Sequence, residues 1–276
     1  MNTKRPPKLT PRKWIGLLCA AVAVGCFAWL GCYAVAQANA RARYAQLQEI
    51  AYSADTMSSV STPAEPEDAE SVPTVEIPID FAALQQQNPD IYAWITVPGT
   101  EIDDPLLQNA QETDYYLYYT VDRVKGLPGA LYTRNDTPQD FSAPCSIVYG
   151  HNMEDDKTMF STLHRFESED FFKDAANRTI LVYTPDRLLE YQIFAAVRYS
   201  DVLLTAAFDF NAEDGAGTQA FVEALRNATG FFDGDVTLPD NPRLLVLSTC
   251  MDLRANAANE RWLVVGVLAN EWMAAA

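Results

Sequence analysis

The sequence predicts a closed, mainly antiparallel β-barrel with several peripheral helices, preceded by one N-terminal transmembrane helix. Three observations predict it. Short runs rich in β-branched and aromatic residues recur from Tyr92 to Leu268, separated by Pro, Gly, Asn and Asp. Only two or three helical segments are interspersed among them, which suits a barrel with helical additions. Ahead of them, Trp14 to Ala36 gives 23 residues without a charge, and about 20 apolar residues span a bilayer.

Charge divides the chain in the same place. Residues 1–43 carry seven Lys/Arg (Lys4, Arg5, Lys8, Arg12, Lys13, Arg41, Arg43) and no acid. Of 20 Lys/Arg, 13 remain against all 37 Asp/Glu, a net −24 for the rest of the chain. A domain that acidic repels phosphate backbones, so no nucleic-acid partner is expected; it is well solvated and monomeric. Five basic residues precede the apolar run and only Arg41 and Arg43 closely follow it. The positive-inside rule then puts the N-terminus in the cytoplasm and the domain outside the cell. Ala36-Gln-Ala-Asn-Ala40 has the small residues of a cleavage site, but the run exceeds the ~7–15 residues of a signal-peptide core, which favours a retained anchor. Cys19, Cys26 and Cys32 lie in that run as small apolar residues. Only Cys145 and Cys250 remain, without a C-x-x-C pair, and the two histidines are His151 and His164. Neither a disulfide framework nor a zinc site is expected.

Taken in order, residues 1–13 are a basic tail, 14–36 the anchor, 37–79 an extracellular linker and 80–276 the globular domain. Residues 44–52 continue as a short helix; 53–78 are rich in Ser, Thr, Pro, Ala and Glu and stay solvated, the acidic run Glu65–Glu70 included. Asp80 caps a short helix through Asn88 that Pro89 closes. Tyr92–Val97 alternates and stops at Pro98-Gly99, a strand and turn. Asp114–Thr120 is a short helix or wall, its Tyr115, Tyr116, Tyr118 and Tyr119 serving core and wall. Gly129–Thr133 and Cys145–Tyr149 read as strands, Met159–Phe166 and Glu169–Ala176 as helical patches. Thr179–Tyr183 and Leu189–Tyr199 are strands joined by Thr184-Pro-Asp-Arg187. Residues 217–227 place Phe221, Val222 and Leu225 on one side of an amphipathic helix.

The closing strands carry the chemistry. Leu244–Leu247 runs into Ser248-Thr249-Cys250, a buried strand that delivers a cysteine to its C-terminal end. Arg261 stands at the entrance of the next run, Trp262–Leu268. If the two strands pair, a thiol meets a fixed cation, which favours the reactive thiolate. Such a nucleophile needs a base. His151 ends the strand Ser146-Ile-Val-Tyr-Gly-His151, the same placement as Cys250, whereas His164 sits in the helix-like Phe160–Phe166 as a surface or half-buried side chain. Placement favours His151. Asn152 beside it is a turn or an orienting residue, and Cys145, at a strand start without a neighbouring base, is packing.

Ser248-Thr-Cys250 after a hydrophobic strand, followed by Arg261 on the next, resembles the signature of the sortases. Tyr149-Gly-His-Asn-Met153 followed by Met159-Phe160 resembles that family's histidine region, and class B more narrowly; the helix at 217–227 is similar to the class B insertion. The likeness runs from about Asp80 to the end. Val246 departs from the usual Thr-Leu-x-Thr-Cys pattern at its first position, which bears on subclass more than on chemistry. The resemblance implies a β-barrel transpeptidase of Gram-positive bacteria, held by a single-pass anchor. Cys250 is then the nucleophile that cleaves a C-terminal sorting motif of secreted proteins, His151 the general acid/base, and Arg261 the group that holds substrate and oxyanion. Thr249 is implied to bond to substrate or to position the strand, and Ser248 and Asn152 to touch substrate. The acceptor is an amine of a peptidoglycan precursor, and no metal or organic cofactor is required. The absence of a second apolar span after Glu271 favours surface-protein anchoring over pilus polymerisation. The competing readings are a cell-wall cysteine peptidase, against which the order His151 before Cys250 counts, and a tethered binding domain with an inert cysteine.

Overall fold

The computed structural model describes residues 11–52, 74–153, 157–251 and 259–275. It divides into two compact units, Met1–Arg43 and Tyr44–Ala276. Helix α1 (Pro11–Ala51) begins in the first. Its residues 14–43 include Trp14, Leu18, Phe27 and Trp29, all exposed, on one helix long and apolar enough to cross a membrane.

The second unit takes in the end of α1. Tyr44, Leu47 and Ala51, spaced three and four apart on one helical face, are buried. Tyr44 donates to the Gly129 carbonyl at 3.1 Å, Gln48 to the Asp103 carbonyl at 2.8 Å, and Tyr52 to Asp103 Oδ1 at 2.8 Å. The folded unit therefore starts well before the expected boundary at residue 80. Of the expected linker, 53–73 lies outside the described residues, and β1 (Thr74–Val75) already pairs with the last strand.

Helix α2 (Phe81–Gln87) follows, its cap Asp80 accepting from the Ala83 amide at 2.9 Å. Then come β2 (Ile91–Thr96), β3 (Asp103–Leu107), α3 (Tyr115–Tyr118), β4 (Leu131–Tyr132), β5 (Cys145–Tyr149), β6 (Asn152–Met153) and β7 (Thr158–Met159). A 3₁₀ segment, Ser161–Glu167, leads to α4 (Glu169–Lys173), β8 (Thr179–Tyr183) and β9 (Arg187–Ser200). The chain ends with α5 (Leu204–Ala207), α6 (Ala216–Arg226), β10 (Thr229–Phe232), β11 (Leu244–Cys250) and β12 (Glu260–Ala274).

Strands β12-β11-β5-β4-β3-β2-β8-β9 pair in that order, and β9 pairs back to β12, which closes the barrel. The pairs β11–β5 and β3–β4 are parallel and the other barrel pairs antiparallel. The expected barrel is thus present, as a mixed sheet. Strand β3 was not expected: Asp103-Asp104-Pro105 opens it, and none of the three favours a strand. Met159 is a strand residue, not the start of a helix.

Two cores flank β11. Leu245 and Leu247 point into the barrel with Ile95, Ile180 and Tyr191. Leu244 and Val246, one residue out of phase, join Phe194, Phe221, Leu225 and Val265 in an outer core beneath α6. Both faces being buried explains why β11 reads as an unbroken apolar run. Cys145 belongs to the outer core, and burial pushes its thiol pKa up, away from reactivity.

Candidate active site

Cys250 is the last residue of β11, and the register sets Arg261 of β12 directly opposite it. Directly opposite side chains in an antiparallel pair have Cβ atoms about 5 Å apart on one face. Tyr199 of β9 is Arg261's partner on its other side. The sequence expectation that cysteine and arginine meet at one sheet edge is therefore realised by register. Arg261 Nη1 donates to the Glu260 carbonyl at 3.1 Å, while the Glu260 carboxylate lies 3.6 Å from Arg198.

His151 follows β5, which runs parallel to β11. Parallel strands end on the same rim, and that brings His151 to the Cys250 end. One cleft of about 200 Å³ is lined by Cys250, His151 and Arg261 together. Its walls are Leu117 and Asp114 before β4, Tyr132 and Tyr149 on the sheet, and Ser200–Leu204, from the end of β9 to the start of α5. Tyr132 and Tyr149 stack at 5.5 Å, and desolvation raises both phenol pKa values, so these walls stay neutral.

The imidazole is oriented by the backbone, not by a carboxylate. His151 Nε2 lies 2.7 Å from the Leu117 carbonyl. A carbonyl only accepts, so Nε2 carries a hydrogen and Nδ1 is the nitrogen left to take up or release a proton. Among the described residues no hydrogen bond to Nδ1 occurs. Gly129, at φ 70°, makes room for this arrangement, because a Cβ there would stand 3.1 Å from His151 Cδ2 and 3.2 Å from the Leu117 oxygen. The tyrosine-rich segment holds Leu117 in turn: Tyr116 donates to Asp90 Oδ2 at 2.6 Å and accepts from Asn88 Nδ2 at 2.9 Å. Sequence reading placed these tyrosines in core and wall without connecting them to the histidine.

The remaining expected substrate contacts separate. Ser248 lines the cleft on the same face as Cys250. Thr249 also lines the cleft, though it is only 2% exposed and, next along the strand, directs its side chain to the opposite face. Asn152, expected at the substrate, is fully buried behind the strand end, its Nδ2 3.3 Å from the Cys250 carbonyl. His164, expected as a surface or half-buried residue, also reaches that carbonyl, with Nε2 at 3.1 Å. Nothing in the sequence pointed to this contact, because it depends on how the Ser161–Glu167 segment folds back over β11.

Comparison with known proteins places this geometry. A family model described as the sortase domain matches residues 95–269. The sortase B of Listeria monocytogenes is 28% identical over 195 residues, covering 70% of this chain and 75% of that protein. The X-ray structure of Clostridium perfringens sortase B is 26% identical with a TM-score of 0.60, covering 68% of this chain and 99% of that one. A Staphylococcus aureus sortase B–substrate complex shares the fold, at 23% identity and a TM-score of 0.64 over 83% of this chain and 96% of that one.

Proposed function

The chain belongs to the sortase family of cysteine transpeptidases, and we propose that Cys250, His151 and Arg261 carry that chemistry in it. One observation carries the reading: Cys250 is paired in register with Arg261, on a cleft that His151 also lines. Cys250 passes its thiol proton to His151 Nδ1, the thiolate attacks the carbonyl carbon of the threonine in a C-terminal sorting motif, and the carbonyl electron pair moves onto oxygen. Arg261 holds that oxyanion; losing one such donor costs about 3–4 kcal/mol of barrier. The intermediate collapses with cleavage of the C–N bond, and His151 gives its proton to the leaving amine. With Nε2–H engaged by Leu117, Nδ1 is the nitrogen that exchanges protons. An amine of a peptidoglycan precursor then attacks the thioester, His151 accepts its proton, and Cys250 leaves as thiolate. Two easier displacements replace one difficult amide exchange. None of these steps calls on a metal or organic cofactor.

The apolar wall residues Leu117, Val202, Leu203 and Leu263 suit an extended peptide with an apolar side chain near the scissile bond. The exposed apolar surface of α1 suits a single-pass anchor with its basic N-terminal side in the cytoplasm, so that the enzyme anchors surface proteins outside the cell. The test is turnover by the full chain in detergent of quenched sorting peptides of the Leu-Pro-x-Thr-Gly and Asn-Pro-x-Thr-x types, with and without an amine. Amine-dependent ligated product supports the reading. Hydrolysis that ignores the amine would replace it with a peptidase.

A further inference from the structure

The carbonyl of Cys250 lies beyond the last ladder contact on the β5 side, where Ser248 faces Tyr149 and the Gly150 amide donates to Ser248 O. A carbonyl at a strand end needs another donor. Two side-chain nitrogens converge on it, His164 Nε2 at 3.1 Å and Asn152 Nδ2 at 3.3 Å, themselves 3.1 Å apart. The second ring nitrogen, Nδ1, lies 2.5 Å from Glu167 Oε1. A carboxylate only accepts, so Nδ1 carries a hydrogen. The Asn152 amide joins carbonyl and ring, its Nδ2 donating to the Cys250 carbonyl and standing within hydrogen-bond distance of Nε2. The ring stacks on Trp262 at 6.2 Å between centroids, and Trp262 Nε1 donates to the Leu163 carbonyl at 3.1 Å. The imidazole is thus held by a face and by both nitrogens.

We infer that His164, steadied by Glu167, is a positioning residue for the transpeptidase reaction: its imidazole, together with the Asn152 amide, holds the Cys250 carbonyl and fixes the end of β11 from which the thiol projects. The inference rests on Cys250 being the nucleophile. His164 acts through the backbone of Cys250.

The test compares steady-state kinetics of the full chain with those of His164→Phe, His164→Gln, Glu167→Gln and Cys250→Ala. Phenylalanine keeps the stack on Trp262 and loses both ring nitrogens; glutamine keeps a hydrogen-bonding amide near the position of Nε2. His164→Phe lowers kcat on the order of tenfold with KM within about twofold, the effect of one hydrogen bond, and His164→Gln recovers to within about threefold of wild type. Glu167, whose side chain is 44% exposed, is replaced without disturbing a core; Glu167→Gln lowers kcat about threefold at an unchanged Tm. Equal kcat in the Phe and Gln variants overturns the inference. If His164→Phe does not fold, an unchanged kcat in Glu167→Gln overturns it. Turnover by Cys250→Ala would instead sink the nucleophile assignment, a separate failure.

Discussion

Replacing Gly129 with alanine perturbs His151 without altering it. Gly129 has φ 70°, and an added Cβ would stand 2.8 Å from the Tyr116 carbonyl oxygen, 3.1 Å from His151 Cδ2 and 3.2 Å from the Leu117 oxygen. The left-handed backbone costs a residue with a Cβ about 1–2 kcal/mol. The approach to Tyr116 adds to this, since a backbone carbonyl has no rotamer to escape into. Tyr116 is tied to Asp90 and Asn88, so the strain falls on Leu117 and on the His151 ring that donates to it. A total of about 2–4 kcal/mol lowers Tm by about 5–15 °C for a domain of this size. A misplaced catalytic group loses up to about 100-fold for 1 Å, so kcat on a sorting peptide falls about 10- to 100-fold. Gly126→Ala is the control. Its φ is 140° but a Cβ there meets nothing within 4 Å, so it loses stability and keeps kcat. Melting curves and kcat, measured where both variants are folded, decide the matter. Wild-type kcat in Gly129→Ala, or an equal loss in both variants, would refute the reasoning.

Arg261→Lys keeps the charge and loses the planar fork, so kcat drops at least tenfold; Arg261→Ala drops about 10²- to 10³-fold, both read by peptide turnover. Leu47→Ala empties a fully buried position on α1 and costs about 2–5 kcal/mol, read as a Tm drop of roughly 10 °C; an unchanged Tm would make residues 44–51 a mere tether. Asp104 is 5% exposed, and burial, helped by the neighbouring Asp103, raises its pKa from 3.8 to about 8. The folded protein keeps a proton on Asp104 that the unfolded chain releases, so this group's contribution to stability is full below about pH 4 and declines as pH rises towards 8. Asp104→Asn removes this slope and raises Tm at pH 8, seen in melting curves across that range; a wild-type slope in the variant would contradict it.

The parts of the fold written in local pattern were legible. Cys145–Tyr149 and Leu244–Cys250 are apolar runs buried on both faces, and α6 shows its Phe221 and Leu225 stripe. The pairing of Cys250 with Arg261 followed from two adjacent strands. What was not legible depended on partners distant in the chain. Strand β3 is recruited by β2 and β4 against the propensity of Asp103-Asp104-Pro105. Residues 44–51 looked like tether because their burial depends on the barrel 50 to 85 positions later. His164 and Asn152 reach the Cys250 carbonyl from 86 and 98 positions away, and the Leu117 carbonyl that orients His151 is a backbone atom, which no residue type announces.

The most direct test of the central claim is intact-mass and peptide-level detection of the full chain incubated with a sorting peptide and no amine. The account predicts one acyl group in thioester linkage on the peptide containing Cys250, discharged by added amine and absent from Cys250→Ala. An adduct that persists in Cys250→Ala, or no adduct with any sorting peptide while Cys250 resists alkylation, would contradict it.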